Sequence, residues 1–221
     1  AFITEQLISM RTLCCTLIII LSSSLSWADL PDKTADQQLL QRLSAIKGFS
    51  AHFNQLLIDQ NGQTLQTISG VIHGQKPDKV LWTVFEPAAQ TIVTNGSQMW
   101  LYDPDLEQVI VQPYNKNPES NPISLLLGKP QQFSEHFELL QQKTLADSVL
   151  HFSLKPVTSN SLYTHLILEF KNDILSAISF EDNLGQTTTL SFNKFKLNPS
   201  FQDDFFNFEI PLGVDVVNHV H

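Results

Sequence analysis

Most of this chain alternates apolar and polar residues with a period of two, and turn residues punctuate the alternation at short intervals. Phe49, Ala51 and Phe53 alternate with Ser50, His52 and Asn54, and the segment runs on to Asp59 before Gln60-Asn61-Gly62. That pattern predicts a half-buried strand ending in a tight hairpin, with Asn-Gly supplying positive φ angles. Asn95-Gly96, Asp103-Pro104-Asp105, Lys171-Asn172-Asp173 and Asn183-Leu184-Gly185 repeat the signal. Further strands are predicted near 64–74, 79–85, 90–95, 98–103, 106–112, 136–143, 148–155, 162–170, 173–181 and 186–197. A helical turn at Ser200–Asp204 and a last strand at Phe205–Ile210 close the series before an exposed tail.

So many strands in one domain, joined by hairpins, make a strongly twisted antiparallel sheet. Such a sheet tends to curl, because long open edges invite association. The expected fold is mainly β with a few helices: a single domain whose strongly curved antiparallel sheet forms an unclosed β-barrel.

Two segments depart from the period of two. Between Thr34 and Lys47 the apolar residues Leu39, Leu40, Leu43 and Ile46 recur at helical spacing, with Thr34 or Asp36 available as N-cap and Gly48 as a stop. This is an amphipathic helix whose stripe needs the sheet as partner. Later, the Asn- and Pro-rich stretch Asn115–Pro122 delivers Ile123-Ser124-Leu125-Leu126-Leu127, which Gly128 and Pro130 stop. This short helix is apolar nearly all round, so it is either buried on more than one side or a movable cover over a ligand.

The first 28 residues read as a secretory signal: Arg11 follows Met10, Leu13 to Leu21 is apolar, and the small residues Ser26 and Ala28 precede a cleavage point. Met10 reads as the natural start, with Ala1–Ser9 upstream of it. Residues 29–221 then form the mature domain, large enough for one substantial core. Cys14 and Cys15 both fall inside the signal, so the mature domain is expected to have neither thiol nor disulfide. They also lie at the start of the apolar run, whereas an acylated anchor cysteine directly follows it.

With 13 Lys and Arg against 22 Asp and Glu, the formal charge is −9 and the pI near 5.1. That sign disfavours phosphate backbones, and no basic cluster interleaved with aromatics offsets it, so nucleic acid is not an expected partner. Catalytic signatures are missing as well: no Gly-x-Ser-x-Gly, no His-Glu-x-x-His and no mature cysteine nucleophile. His52, His73, His136, His151 and His165 have no ligand spacing, and His219-Val220-His221 sits in the tail. The expectation is a protein without enzymatic activity, cofactor or metal.

Leu43–Gln55, Lys76-Pro77 leading to Trp82, Pro87–Gly96, Met99–Pro104 and Leu106–Val109 together resemble, in order along the mature chain, the periplasmic outer-membrane lipoprotein carrier family, LolA. The resemblance implies an unclosed barrel with a helical lid. It also implies a periplasmic monomer that takes triacylated lipoproteins from an ATP-driven inner-membrane transporter and delivers them to an outer-membrane receptor. A lipid-binding or lipid-sensing module of the same fold is the alternative. By the same resemblance Leu43, Phe49, Phe53, Val80, Trp82, Trp100, Ile123, Leu125, Leu126 and Leu127 are expected to form the acyl-binding wall and lid. Lys76 stands where the family commonly has an arginine that fastens the lid. Lysine lacks the planar fork of donors, so the resemblance implies a lid that is held more weakly or fastened elsewhere.

Overall fold

A computed structural model of the chain describes residues 34–145 and 148–218. The expected signal, residues 1–28, and the terminal His219-Val220-His221 lie outside the described residues. The helix α1 spans Ala35–Ala45 and is followed by eleven consecutive strands interrupted by a lid: β1 Gly48–Ile58, β2 Thr64–Gln75, β3 Lys79–Glu86, β4 Gln90–Asn95, β5 Gln98–Asp103 and β6 Gln108–Pro113, then α2 Pro122–Leu127 and α3 Phe133–His136, then β7 Phe137–Thr144, β8 Val149–Pro156, β9 Tyr163–Lys171, β10 Ile174–Asp182 and β11 Thr187–Leu197. A twelfth strand, β12, spans Asp215–Asn218.

All twelve belong to one sheet in the order β12-β6-β5-β4-β3-β2-β1-β11-β10-β9-β8-β7. Two antiparallel meanders are therefore joined through β1, which pairs with both β2 and β11. The terminal strands β12 and β7 do not pair with each other, so the barrel stays unclosed. Bulges at Ser50/His52, Leu57/Ile58 and Ser69/Gly70 interrupt the central ladders. Extra residues on one strand bend it and increase its twist, and here they sit in the middle of the curved wall.

The inner face carries the core. Ile72, Trp82, Ile92, Leu101 and Ile110 lie opposite one another across β2 to β6 on this face. Phe49 and Phe53 on β1 face Gly74 and Gly70 on β2. Each glycine leaves room for the ring across from it: a Cβ at Gly74 would lie 2.6 Å from Phe49 Cε1, and one at Gly70 would lie 2.8 Å from Phe53 Cε1. Phe152, Leu154, Leu166, Leu168, Phe170 and Ile178 complete the core from the other half of the sheet.

The outer face of β2 to β6 carries His73, Leu81, Val93, Trp100 and Val111 in one row. The segment after β11 crosses this face. Phe201 and Phe205 pack their rings against His73, and Phe208 packs against Trp100 and Tyr102.

Three expectations need correction. Phe205–Ile210 is not a strand: its rings pack on the outer face and on Phe201, while the backbone turns at 203–206. The last strand lies further on, in the expected tail, where Val216 and Val217 pair with Val109 and Ile110. That pairing is parallel, the one departure from antiparallel order among the described strands. Asn-Gly also works differently from expectation, since only the glycines, Gly62 and Gly96, take positive φ. The Asn95 carboxamide oxygen instead accepts from the Ser97 and Gln98 backbone N–H groups.

Candidate functional site

The interior is bounded by α1 and closed by α2. Thr34 caps α1 in a reciprocal box with Gln37, and Leu39 and Leu43 are fully buried on its inner side. At the outer side Arg42 pairs with Asp173 at 2.5 Å and lies over the rings of Phe152 and Phe170. The last carbonyls of a helix have no partner within it. Two residues distant in sequence supply them here: Lys76 Nζ donates to the Leu43 carbonyl at 2.9 Å, and Asn198 Nδ2 donates to the Ala45 carbonyl at 2.9 Å. Asn198 Oδ1 also accepts from the backbone N–H groups of Lys47 and Gly48, so one side chain fastens both the end of α1 and the start of β1.

The lid helix α2 is buried on all sides: Ile123, Ser124, Leu125, Leu126 and Leu127 are each no more than 7% exposed. Being surrounded explains why its apolar residues run nearly round the helix. Its one polar member, Ser124, is satisfied by the Tyr114 hydroxyl at 3.0 Å, which also accepts from Asn121 Nδ2. Burial pushes the Tyr114 hydroxyl pKa up, with Asp78 adding to the effect against the Ser124 and Asn121 hydrogen bonds.

The loop leading into the lid is held by a buried polar cluster. Glu119 accepts from Thr158 Oγ1 and lies 3.1 Å from His136 Nδ1, while its backbone carbonyl accepts from Ser161 Oγ and the Leu162 N–H. The Tyr163 hydroxyl donates to the Pro118 carbonyl next door. Burial, with the Glu119 charge, pushes the Tyr163 pKa well above its usual range. The lid is thus clasped at its entry by polar bonds and packed along its length by apolar contacts.

Nine of the ten wall and lid residues expected from the sequence meet on this inner surface. Leu43, Phe49, Phe53, Val80, Ile123, Leu125, Leu126 and Leu127 belong to one continuous core, and Trp82 packs against it with its ring edge-on to Phe53 at 4.7 Å. Trp100 does not join them. It lies on the outer face against Phe208, because it is in line with Val93 rather than with Ile92. Lys76 reaches the end of α1 through the Leu43 carbonyl, while Tyr114 bonds Ser124 on the lid and Glu119 holds the loop before it. Asn198, Tyr114 and Glu119 were not singled out from the sequence. Asn198 follows directly on the predicted strand 186–197, and Glu119 falls in the Asn- and Pro-rich stretch before the short apolar helix.

Beside the lid, among Leu43, Ser124, Leu125, Phe133 and His136, the described residues leave a pocket of about 60 Å³. Pockets that hold a drug-sized ligand are about 300–1,000 Å³. That pocket would take a long apolar ligand only if the lid or α1 moved.

The Lys76 ammonium sits partly buried at this rim, and its pKa is pushed down to about 8 by burial and by nearby Lys47. Below that pH both the folded and unfolded chains hold the proton, and the cost of burying the charge is fully present. Between about 8 and the ordinary 10.5 the folded state releases its proton first, so stability rises with pH there. The neutral amine still has an N–H for Leu43. Relative to Lys76→Met, the wild type is expected to gain on the order of 1 kcal/mol between the two ends of that window, after discounting for partial exposure. Urea midpoints of both proteins at each pH check this, and parallel pH profiles would count against it.

The architecture defines a class: a lidded half-barrel, one sheet wrapped round an apolar interior and shut by helices with polar clasps at the rim. Residues 44–209 match the family described as Outer membrane lipoprotein carrier protein LolA. The chain belongs to that family. It is 38% identical over 175 residues to an outer-membrane lipoprotein carrier protein of Hahella chejuensis, covering 79% of this chain and 84% of that one. It is 34% identical over 202 residues to one from Azotobacter vinelandii, covering 90% and 97%. Its fold is similar to that of an uncharacterized conserved protein from Thermus thermophilus, with a TM-score of 0.54 at 13% identity, covering 83% of this chain and 98% of that one.

Proposed function

We propose that this chain is a periplasmic carrier that hides the acyl chains of lipoproteins in its interior and passes them from the inner membrane to an outer-membrane receptor. The observation that carries the reading is the lid: a six-residue helix whose Ile123, Leu125, Leu126 and Leu127 are buried in the same apolar core as Leu43 and Phe49. It lies outside the sheet, so it can move as a cover without breaking a strand ladder. No helix among the described residues is long and apolar enough to cross a membrane.

The energetics fit a lidded interior. At about 0.8 kcal/mol per buried methylene, an acyl chain of about sixteen carbons gains on the order of 12 kcal/mol on leaving water. Unaided transit of an acylated protein through water is therefore negligible. A carrier must cover the chains and still release them to the next protein. A lid and an α1 packed into the apolar core serve this, because once displaced they compete with the ligand for the same surface.

In this reading Leu43, Phe49, Phe53, Val80, Trp82 and the lid residues Ile123 and Leu125–Leu127 are the acyl-contacting wall, and Lys76 and Asn198 tie the end of α1. Chemistry on the cargo plays no part. The carrier works as a monomer, with the ATP-driven transporter as donor and the receptor as acceptor.

A release assay tests the proposal. The mature chain is added to spheroplasts synthesising a triacylated outer-membrane lipoprotein, and the lipoprotein is expected in the supernatant as a one-to-one complex. Release should fall sharply for Leu126 and Trp82 variants that still fold. Fatty-acid binding with no lipoprotein release would overturn the carrier reading in favour of a lipid-binding module.

A further inference from the structure

The lid has two feet, the loop that enters α2 and the end of α3 that leaves it, and one carboxylate bonds to both. Glu119, on the entry side, is only 3% exposed. Its Oε1 lies 3.1 Å from His136 Nδ1 on the exit side, seventeen residues further along the chain. A carboxylate only accepts, so Nδ1 is the donor. The other oxygen, Oε2, accepts from Thr158 Oγ1 in the connection between β8 and β9. That connection also holds the backbone of both feet: Ser161 Oγ and the Leu162 N–H donate to the Glu119 carbonyl, and the Val157 N–H donates to the His136 carbonyl. Between the feet, among the described residues, the side-chain hydrogen bonds that leave the stretch 120–135 all go to Tyr114.

We propose that Glu119 is the positioning residue of the lid: bound at once to His136 and Thr158, its carboxylate keeps α2 seated in the apolar core and thereby sets how readily an acyl ligand displaces it. The inference rests on the carrier reading and names the group that fixes the lid's resting place. Asn121, the N-cap of α2, stands two residues beyond Glu119, so the helix cannot swing far without pulling the carboxylate from its donors. A carboxylate out of water is costly unless such donors meet it. Glu119 is no part of the proposed wall and acts on the ligand only through α2. Because the ligand binds the lifted form, its apparent affinity falls with the fraction of molecules in which the lid is lifted.

The two donors, rather than Glu119 itself, are the groups to remove. Thr158 is exposed and His136 half-buried, so neither substitution opens the core. In the double variant Thr158→Val/His136→Ala the carboxylate stays buried without side-chain donors and finds water only by lifting its loop. A fluorescent derivative of hexadecanoic acid is expected to bind the double variant on the order of tenfold more tightly than the wild type, with faster association. Amide exchange across 122–127 should quicken with it, while the β1–β2 ladder stays protected. Adding Glu119→Gln to the double variant should return the affinity most of the way to the wild-type value, because a neutral carboxamide is cheaper to leave unpaired than a charge.

Unchanged or weaker probe binding by a folded double variant overturns the role of Glu119 and leaves the carrier reading intact. A gain that persists after Glu119→Gln does the same, since it traces to the space vacated by His136 and not to the carboxylate. If the double variant does not fold, Thr158→Val alone is expected to bind the probe about threefold more tightly, and no gain overturns the assignment. A wild-type chain that takes up neither the probe nor the spheroplast lipoprotein overturns the carrier reading and this inference together.

Discussion

Gly70→Ala is expected to destabilise the protein by about 3 kcal/mol or more, a large effect for one methyl group. Gly70 has no left-handed φ to protect, so the usual gain from stiffening the unfolded chain, about 0.4–1 kcal/mol, ought to favour alanine. Space decides otherwise. A Cβ here runs into the Thr83 carbonyl oxygen on β3 and lies 2.8 Å from the Phe53 ring. The ring has some freedom to tilt, but the carbonyl belongs to the ladder between β2 and β3, and moving it separates two strands of the inner wall. Phe53 stacks edge-on against Trp82, so the displacement reaches the proposed acyl surface too. Urea denaturation checks the size of the loss. Gly62→Ala is the comparison: nothing stands within 4 Å of that Cβ, and only its φ of +81° resists, at a cost of about 1–2 kcal/mol. A Gly70→Ala effect no larger than the Gly62→Ala effect would mean that β2 and β3 yield easily at this bulge.

Leu126→Asp separates a lid from an ordinary core position. Leu126 is fully buried, and an unpaired carboxylate kept there would cost several kcal/mol. A chain with a hinged cover has a cheaper course, which is to swing α2 out and leave the sheet folded. The expected result is therefore local. Amide exchange should accelerate through 115–136 while β8 to β10 stay protected, because the opening free energy of one segment lies below that of the whole domain. Exposing the inner wall should also raise the affinity for a fatty-acyl probe, since the ligand no longer has to displace the lid. Uniform loss of protection across the domain would instead mark Leu126 as core. Unchanged probe affinity in a variant with selective opening would count against competition between lid and ligand.

These two positions differ in how they were readable. The alternation Phe49-x-Ala51-x-Phe53 places both phenylalanines on the buried face, and the strand period makes that unambiguous. That Gly70 and Gly74 exist to accommodate those rings depends on the β1–β2 register, which is a tertiary fact. The all-apolar run Ile123–Leu127 left a buried helix and a movable cover open as alternatives. The structure shows its residues buried, and its place outside every strand ladder is what favours a cover.

The segment after β11 was harder to read. Phe201, Phe205, Phe206 and Phe208 have the composition of a strand, but their partners are rings and the outer face of β2 to β6 rather than a neighbouring backbone. Trp100 was misplaced for a related reason. With Met99, Trp100, Leu101 and Tyr102 all apolar or aromatic, the alternation vanishes, and which face is inside cannot be read once both faces are covered. The segment that covers the outer face lies a hundred residues downstream.

The sequence by itself determined β1 to β11, their hairpins, the capped amphipathic first helix and the short apolar second one, because each follows from short-range periodicity and turn chemistry within a few residues. Only the tertiary structure decided which strands close the two meanders onto each other through β1 and β11, which face Trp100 takes, and how Lys76 and Asn198 finish α1. Those outcomes depend on pairing groups separated by tens to more than a hundred residues, where an unsatisfied carbonyl or an uncovered apolar face takes whichever partner the folded chain brings within reach.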